Sequence, residues 1–325
     1  MALTFTELES VTNDFFVADG GKAVDTYFKT SFLIDYLMNK KKGLWERPSG
    51  GRRMRVPLEY DESEGGAYSR ADSLSSDDRE IINAAYFWVK HYYGNSTIYR
   101  TDELENDGPY AEVQIVTQKI ANAQKTVTKK LATDLYSSSS DTAKELTGLL
   151  SLTSETATVA YGGIIENDLV ATDLTKPWEG KTTTTTEGIS LAVIRTLASL
   201  AKIHSGANGK PDIGVTTETL FNIISGILQV QQRFTTDSDT VNAGFTNLVF
   251  EGKIIAADDF CTSGYLFLLN SKFAGFAIHK NGYFYRTPWG DLLPAGQAAK
   301  SMKIFWDGNL ICSNRKAHAA HSNLS

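Results

Sequence analysis

Apolar residues at three-to-four spacing predict one long helix in the first half of the chain. The stripe covers more than six turns and consists of Val113, Val116, Ile120, Ala123, Val127, Leu131 and Leu135. Pro109 near its start and the serine run 137–140 after its end fit the termini of a helix. We predict a helix over 109–136, about 40 Å long.

A second pattern, with a period of two residues, predicts a β-hairpin upstream of this helix. Apolar and polar residues alternate from Arg53 to Tyr60, and an aromatic segment, Ala84–Tyr93, forms the returning strand. Gly65-Gly66 and the polar run Ser69–Asp78 mark a long turn between them. Because a two-stranded hairpin alone is marginally stable in water, we expect this one to need a neighbour.

The N-terminal region carries a shorter amphipathic stripe. Ala23–Met38 is apolar along one helical face, and Lys40–Lys42 followed by Gly43 is typical of a helix C-terminus. This stripe is too short to bury itself, so we predict that it docks on another surface.

The second half of the chain mixes helical and strand patterns, without any internal repeat of 20–50 residues. The Thr-, Ser- and Gly-rich residues 150–188 predict an exposed strand edge or loop. Predicted helices are Ile189–His204 and Thr217–Phe234, and predicted strands are Pro211–Thr216, Lys253–Ala257, Tyr265–Leu269, Phe273–His279, Tyr283–Arg286 and Met302–Arg315.

Composition narrows the class of protein without giving a function. The chain has 325 residues, 42% hydrophobic and 22% charged, with a net charge of −6. These values exclude a collagen-like or low-complexity chain, a disulfide-stapled mini-domain and a globally basic nucleic-acid binder. Cys261 and Cys312 predict two buried thiols. The chain begins without a signal-peptide pattern and has no apolar run of about 20 residues, so we expect cytoplasmic synthesis and no membrane partner.

The charges are unevenly distributed. Residues 40–55 contain seven basic residues and one acidic residue, and residues 59–64 contain four acidic residues and no basic one. From Lys272 to the end there are seven basic and two acidic residues. The small net charge therefore conceals a basic block, an acidic block and a basic C-terminal stretch.

No catalytic motif is present. The chain lacks Gly-rich nucleotide, nucleophile-elbow, zinc-protease and EF-hand spacings, and we interpret residues 204–211 as a helix-ending turn rather than a phosphate loop. Asp258 and Asp259 predict a solvated loop, because adjacent strand residues point to opposite faces. His318 and His321 are expected in a frayed C-terminal tail. We predict no catalytic, cofactor-binding or metal-binding residue.

The order of basic hairpin, long helix, helical middle and strand-rich end resembles the major capsid protein of tailed bacteriophages. The segments with this character are Arg53–Tyr60, Ala84–Lys90, Asn106–Tyr110, Leu131–Tyr136, Leu146–Leu149, Arg286–Leu292, Met302–Leu310 and Asn314–Arg315. The resemblance implies an α+β capsid fold of the Hong Kong-97 type, with no enzymatic activity and no cofactor.

The resemblance also implies a division of the chain. It would comprise an N-terminal arm (1–43), an extended β-hairpin loop (44–95), a peripheral domain (96–149) with the spine helix (109–136), an axial domain (150–290) and C-terminal strands (291–325) that return to the peripheral domain. Members of this family assemble as pentamers and hexamers into icosahedral heads, and each extended loop lies over a neighbouring subunit.

Two groups of residues become candidate contacts on this basis. Candidate contacts between subunits are Arg52, Arg53, Arg55, Glu59, Asp61, Glu62, Glu64, Tyr27, Phe28 and Phe32. Candidate weak contacts with packaged double-stranded DNA are Lys300, Lys303, Arg315 and Lys316. Further partners implied by the resemblance are a separate scaffolding protein, a portal and a decoration protein, and the location is the virion, assembled in the bacterial cytoplasm.

One departure and two alternatives qualify this interpretation. Some family members cross-link a loop lysine to a neighbour's asparagine, but there is no lysine here between Lys42 and Lys90, so we predict a non-covalent shell. An encapsulin-type nanocompartment shell would share the fold. A soluble two-domain enzyme with a site around Asp258, Asp259 and His279 is the alternative from another class.

Overall fold

The structure is a computed structural model that describes residues 29, 31–39, 48–70, 72–74, 79–105, 115–156, 160–165, 168–169, 171, 176–203, 209–229, 247–293 and 296–325. The helices are α1 (Phe32–Asn39), α2 (Arg100–Glu105), α3 (Ile115–Leu135), α4 (Leu149–Thr153), α5 (Leu191–Leu200) and α6 (Glu218–Gln229), with a 3-10 helix at Arg315–Ala317. The strands are β1 (Arg53–Glu59), β2 (Ile82–Trp88), β3 (Lys90–Tyr99), β4 (Thr182–Thr183), β5 (Ile213–Thr216), β6 (Asn247–Phe250), β7 (Lys253–Ala257), β8 (Leu266–Leu269), β9 (Ala274–Ile278), β10 (Tyr285–Arg286), β11 (Gly290–Asp291), β12 (Ala299–Cys312) and β13 (Ala319–His321).

The chain folds into two compact units. The smaller unit takes its described residues chiefly from His91–Leu131 and Lys280–Asp307, and the larger unit comprises Thr30–Lys90, Ala132–His279 and Gly308–Ser325. The mixed helix and strand content confirms the predicted α+β class. The six predicted strands of the second half are all present, with ends that move by at most three residues.

The smaller unit is a sheet covered on one side by the long helix. In this sheet, the first part of β12 pairs antiparallel with β10 and with β11. β12 also pairs with β3. Ala123 of α3 packs against Met302 and Ile304 of β12. The helix predicted over 109–136 is confirmed from Ile115 to Leu135, and residues 106–114 lie outside the described part of the chain.

Gly94 lets α3 approach β3 closely. A Cβ atom built on Gly94 would lie 2.5 Å from the Ala123 carbonyl oxygen and 2.9 Å from Val127 Cγ2. Because the oxygen belongs to helix backbone, it cannot move without displacing the helix. Only glycine fits this position without a shift of α3.

We therefore expect Gly94→Ala to destabilise the subunit by about 1–3 kcal/mol, as overpacking of a filled core does. Urea unfolding of the unassembled subunit measures the effect. Gly226→Ala is the matched control, because a Cβ at that helical glycine meets nothing within 4 Å and should not destabilise. Equal unfolding midpoints for Gly94→Ala and the wild type would contradict the prediction.

The larger unit is built on a six-stranded sheet in the order β4-β13-β8-β5-β7-β6. Helices α5 and α6 cover it with a core that includes Ile194, Leu197 and Ile224, each almost fully buried. Ser190 caps α5 by accepting a hydrogen bond from the Val193 N–H. The two-residue β4 lies at one edge of the sheet, so a strand edge is present within 150–188, but its two residues are half-buried rather than exposed.

Helix α1 corrects the expectation for the N-terminal region. Phe32 is only 2% exposed within the single chain, and its neighbours on the helix are buried with it. The Ser31 hydroxyl and the Leu33 N–H both donate to Asp258 Oδ2, at 2.8 and 3.1 Å. The predicted stripe does dock, but on its own subunit, so Phe32 as an intersubunit contact is wrong. Tyr27 and Phe28 lie outside the described residues.

The sequence pattern also predicts the wrong environment for Asp258. It is 2% exposed, and besides its bonds to the start of α1 it accepts the Phe260 N–H at 2.9 Å. The predicted solvated loop is therefore wrong for Asp258. Its carboxylate accepts a hydrogen bond at the start of α1, where backbone N–H groups have no partner within the helix. Asp259 is exposed, as predicted.

The C-terminus is folded rather than frayed. β13 lies between β4 and β8 in the six-stranded sheet, and His318 and His321 are 0% and 2% exposed. The Asn270 N–H donates to His318 Nδ1 at 3.2 Å, and His321 Nε2 lies 2.7 Å from Glu187 Oε1. β12 contributes to both units: its residues up to Asp307 belong to the smaller unit, and Gly308–Ser325 belong to the larger unit.

Burial of His318 predicts acid sensitivity. Burial, with the nearby Arg315 charge, lowers the pKa of His318 to about 3, whereas an unfolded histidine titrates near ~6.5. Between these values the unfolded chain binds a proton that the folded chain does not, so stability is complete above about pH 6.5 and falls as the pH decreases. From pH 6.5 to 5 the loss should be about 2 kcal/mol.

Urea unfolding at pH 7 and pH 5 checks this, with His318→Asn as comparison because an amide oxygen can replace Nδ1 as acceptor. Burial raises the pKa values of Asp141 and Asp258, so these groups stabilise the fold as the pH falls and act in the opposite direction. The wild type and His318→Asn both contain Asp141 and Asp258, so the contribution of these two groups to the pH dependence cancels when the two proteins are compared. The same pH dependence in both chains would contradict the role of His318.

Candidate functional site

The β1–β2 hairpin carries most of the residues predicted to contact a neighbouring subunit. Its strands pair antiparallel from Arg53↔Trp88 to Glu59↔Ile82. Burial alternates along β1, with Met54, Val56 and Leu58 buried and the residues between them exposed. The period of two residues seen in the sequence is therefore confirmed.

The buried face of the hairpin rests on its own subunit. The Tyr86 N–H donates to the Gly162 carbonyl at 2.7 Å, and the Phe87 ring meets Tyr161 edge-on with 5.5 Å between ring centres. A Cβ on Gly162 would lie 2.8 Å from the Ala85 Cβ, so this glycine allows the close approach. The hairpin therefore obtains its supporting neighbour partly within the chain.

The outward face of the hairpin is cationic at its base. Arg52, Arg53 and Arg55 are exposed. The guanidinium groups of Arg52 and Arg53 lie 4.9 and 4.5 Å from the centre of the Trp88 ring. Stacking on an indole holds an arginine in place without neutralising it. The structure thus presents ordered, accessible positive charges at the base of the hairpin.

The acidic block lies toward the other end of the same hairpin. Glu59 lies six positions after Arg53, or roughly 20 Å further along the strand. Glu64 lies 3.7 Å from Arg79, so its cationic partner is within the hairpin. Within the described part of the chain, neither Glu59 nor Glu62 forms an ion pair. The sequence-predicted basic and acidic residues thus share one hairpin but occupy opposite ends.

A buried lysine anchors the base of the hairpin. Lys90 is 4% exposed, and its ammonium group donates to the carbonyls of Asp141, at 2.8 Å, and Ala143. Burial lowers the pKa of Lys90 and raises that of Asp141, whose Oδ2 accepts the Gly163 N–H at 3.0 Å. Lys90 is therefore a structural residue and is not exposed at the hairpin surface.

Arg315 is not a DNA-facing residue, which corrects its prediction. Its side chain is 2% exposed and stacks 4.8 Å from the centre of the Tyr161 ring. The guanidinium donates to four carbonyl oxygens, at 2.9–3.1 Å: those of Ser151, Leu152, Ser154 and Trp178. Three of these lie at the C-terminus of α4, where helix carbonyls lack intrahelical partners. No local sequence signal marked this role.

The other three predicted DNA-facing residues are divided between the two units. Lys300 and Lys303 are exposed on the smaller unit, and Lys300 lies 3.1 Å from Glu103. Lys316 is half-buried and belongs to the larger unit.

The remaining candidate chemistry does not assemble into a reactive centre. Asp258 is committed to three hydrogen bonds with Ser31, Leu33 and Phe260. Both cysteines are buried free thiols, as predicted, and burial raises the pKa of Cys312 to about 12. Among the described residues, no three His, Cys, Asp or Glu side chains are grouped as metal ligands. The helices described here include none that is long and apolar enough to cross a membrane.

The fold is similar to that of several solved capsid and encapsulin structures. The capsid asymmetric unit of cyanophage A-1(L) matches with a TM-score of 0.70 at 12% identity, covering 94% of this chain and 96% of that chain. The capsid of an empty GTA particle matches with a TM-score of 0.60 at 10% identity, covering 97% of this chain and 98% of that chain. An encapsulin complex from Synechococcus elongatus matches with a TM-score of 0.59 at 11% identity, covering 100% of this chain and 97% of that chain.

These likenesses extend over nearly the whole chain, so the predicted phage-capsid fold is confirmed. No protein-family model matches the sequence, and no curated protein matches it. The similarity therefore lies in the arrangement of helices and strands rather than in residue identities.

Proposed function

We propose that this chain is the major capsid subunit of a tailed phage, a structural protein without enzymatic activity. In this proposal it assembles as pentamers and hexamers into an icosahedral head around double-stranded DNA. The observation that carries the proposal is the match to capsid subunits over 94% or more of the chain. Because the match covers nearly all of both chains, it is not limited to one shared module.

The hairpin supplies independent support. Its inner face is buried on the same subunit, whereas its outer face carries ordered arginines and exposed apolar residues such as Ile82, which is 58% exposed. A pair of strands that exposes both charged and apolar side chains is typical of a surface that another subunit covers on assembly. We assign Arg52, Arg53 and Arg55 to contacts with acidic residues of a neighbouring copy, with Glu59 and Glu62 as their counterparts.

We further infer that the shell is held together without Lys–Asn cross-links at the hairpin. No lysine occurs between Lys42 and Lys90, and Lys90 is buried with its ammonium group on two carbonyls. A denaturing gel of assembled particles should show a single band. A ladder of covalent oligomers would contradict this part of the proposal.

Partners beyond the shell follow from the same proposal. A separate scaffolding protein, a portal and a decoration protein would act with the subunit in the virion, assembled in the bacterial cytoplasm. Lys300, Lys303 and Lys316 would make weak, non-specific contacts with packaged DNA. A subunit of net charge −6 does not favour tight DNA binding.

Expression of the full chain, followed by size-exclusion chromatography and negative-stain microscopy, tests the central proposal. We expect closed particles of megadalton mass. A small discrete oligomer under all conditions, with or without scaffold, would overturn the proposal.

An encapsulin-type compartment is the second candidate, favoured by the match to the Synechococcus elongatus encapsulin complex over all of this chain. Both candidates predict closed shells, so their contents decide between them. Particles purified from the native source should contain DNA if the chain is a head protein. A protein cargo without DNA would favour the compartment.

A further inference from the structure

The β1–β2 hairpin forms no ladder with any other described strand. Its two strands pair only with each other, so the hydrogen bonds of a larger sheet do not fix the angle at which the hairpin leaves the subunit. Packing of its buried face is non-directional and sets that angle only loosely. The angle therefore depends on the few hydrogen bonds that join the hairpin to the rest of the larger unit.

The outer edge of β2 makes two of these hydrogen bonds. The Tyr86 N–H donates to the Gly162 carbonyl at 2.7 Å, and the Trp88 carbonyl accepts a hydrogen bond from Asn309 Nδ2 at 2.9 Å. Because Tyr86 and Trp88 are two positions apart, their backbone groups lie on the same edge of the strand. Both bonds therefore hold β2 along the edge that is turned away from β1.

Asn309 of β12 is fully buried, and its amide is fully hydrogen-bonded. Besides the bond to Trp88, its Nδ2 donates to Thr147 Oγ1 at 3.1 Å. Its Oδ1 accepts the N–H groups of Thr147 and Leu310, at 3.1 and 2.9 Å. These four contacts use both donors and both lone pairs of the amide. The side chain is therefore held in one orientation.

Further hydrogen bonds lead from Thr147 back to the first anchor of β2. The Thr147 hydroxyl donates to Asp141 Oδ1 at 3.5 Å, and Asp141 Oδ2 accepts the Gly163 N–H at 3.0 Å. Gly163 follows Gly162, whose carbonyl accepts the Tyr86 N–H. The contacts thus form a closed circuit, which we name the hairpin ring: Tyr86, Trp88, Asn309, Thr147, Asp141, Gly163 and Gly162.

Burial makes this circuit rigid. Asn309, Thr147 and Asp141 are at most 6% exposed, so water does not readily replace a partner that is lost. A buried polar network whose members are all satisfied specifies a single arrangement. In a closed circuit, moreover, no member can move without displacing its two neighbours.

A small rotation at the ring becomes a large displacement further along the hairpin. The Glu59–Ile82 pair lies six positions from the Arg53–Trp88 pair. Six positions correspond to roughly 20 Å of strand, so a rotation of about 10° at Trp88 displaces Glu59 by about 3 Å. An ion pair needs its nitrogen and oxygen within about 4 Å of each other. That displacement is enough to separate one.

We propose that Asn309 and Thr147 position the hairpin for assembly. Through the hairpin ring they fix the angle of the hairpin, so that its exposed charges meet a neighbouring copy in register. Both residues are fully buried within one chain, so they act through Tyr86 and Trp88 rather than by touching the neighbour. This inference rests on the proposed shell function, but the position of the hairpin can be measured in a subunit that has not assembled.

Spin labels on the unassembled subunit test the positioning. One label is attached at Glu80→Cys, exposed just before β2, and the other at Thr196→Cys, exposed on α5. Cys261 and Cys312 are buried and are not expected to react with the label. In this labelled chain, Thr147→Val removes the hydroxyl from the ring and keeps the shape of the side chain. We expect it to make the distribution of distances between the labels at least twice as wide.

Thr153→Val is the matched control. Thr153 is also fully buried in the larger unit, but its hydroxyl donates to the Leu149 carbonyl of its own helix at 3.0 Å. This variant should keep the distance distribution of the wild type. We expect similar urea midpoints for the two threonine variants, so that a difference in width reports the ring and not overall stability. Equal widths in the two variants would overturn the inference.

The yield of shells from unlabelled chains is the second readout. Thr147→Val should lower it at least fivefold, and Thr153→Val should leave it unchanged. Asn309→Ala should lower it further, because this change also removes the bond to Trp88; if that chain does not fold, the two threonine variants decide. Equal yields from them would overturn this inference and leave the proposed function standing. A wild type that forms no shells would overturn the proposed function, and the spin-label distances would still decide whether the ring positions the hairpin.

Discussion

Arg315→Ala is expected to be the most destabilising single substitution in the described part of the chain. The change removes the donor for four carbonyl oxygens, at Ser151, Leu152, Ser154 and Trp178. An unsatisfied buried polar group costs about 1–3 kcal/mol, and the costs within one network do not simply add. We expect a loss of at least ~3 kcal/mol in the free energy of unfolding.

Urea unfolding of the unassembled subunit measures this loss, and two variants make the result specific. Arg315→Lys keeps the charge but lacks the planar array of donors, so it should give an intermediate loss of about 2 kcal/mol. Lys316→Ala, at the half-buried neighbouring residue, should change stability by less than about 0.5 kcal/mol. If Arg315→Ala unfolds at the wild-type midpoint, the carbonyl network does not stabilise the fold as we infer.

Elements with strong local periodicity were predictable from the sequence. The alternation in Arg53–Glu59 reappears as alternating burial, because a strand places successive side chains on opposite faces whatever lies beyond it. The apolar stripe of α3 likewise predicted the helix and most of its buried face, although Val116 of that stripe is 44% exposed. Ala123, Val127 and Leu131 of that stripe are all buried.

Contacts between residues distant in sequence were not predictable in this way. Asp258 caps a helix start that lies 225 residues earlier in the chain, and Arg315 reaches carbonyls more than 130 residues away. Neither residue differs locally from a solvated charge. A polar residue near a chain end or turn looks exposed until the tertiary fold supplies its partners, and this is why His318 and His321 were also misplaced.

The candidate assembly surface lies between these cases. The basic block around Arg53 and the acidic block around Glu62 are visible in composition, but the stacking of two arginines on Trp88 is not. The structure also shows that Glu64 has an internal partner, Arg79, and that Phe32 is internal. Among the described residues, the candidates that remain for contacts between subunits are exposed side chains of the hairpin.

Reversal of the three hairpin arginines is expected to abolish shell formation and leave the subunit folded. Arg52, Arg53 and Arg55 are exposed. Arg→Glu at all three positions removes the stacking of Arg52 and Arg53 on Trp88 and of Arg53 on Tyr86, worth about 0.5–1 kcal/mol for each contact. One exposed ion pair contributes about 0–1 kcal/mol. Three reversals at every interface convert attraction into repulsion, and each loss of ~1.4 kcal/mol raises the concentration needed for association about tenfold.

Microscopy of the triple variant, at a concentration where the wild type forms closed shells, should show no particles, while urea unfolding shows a largely retained fold. The matched control reverses Lys144, Lys202 and Lys210, three exposed lysines outside the hairpin, with the same change in net charge. This control should still assemble, because the charges lie elsewhere on the surface. Shells formed equally by both triple variants would show that the hairpin arginines do not hold neighbouring subunits together, and loss of shells in both would assign the effect to net charge instead.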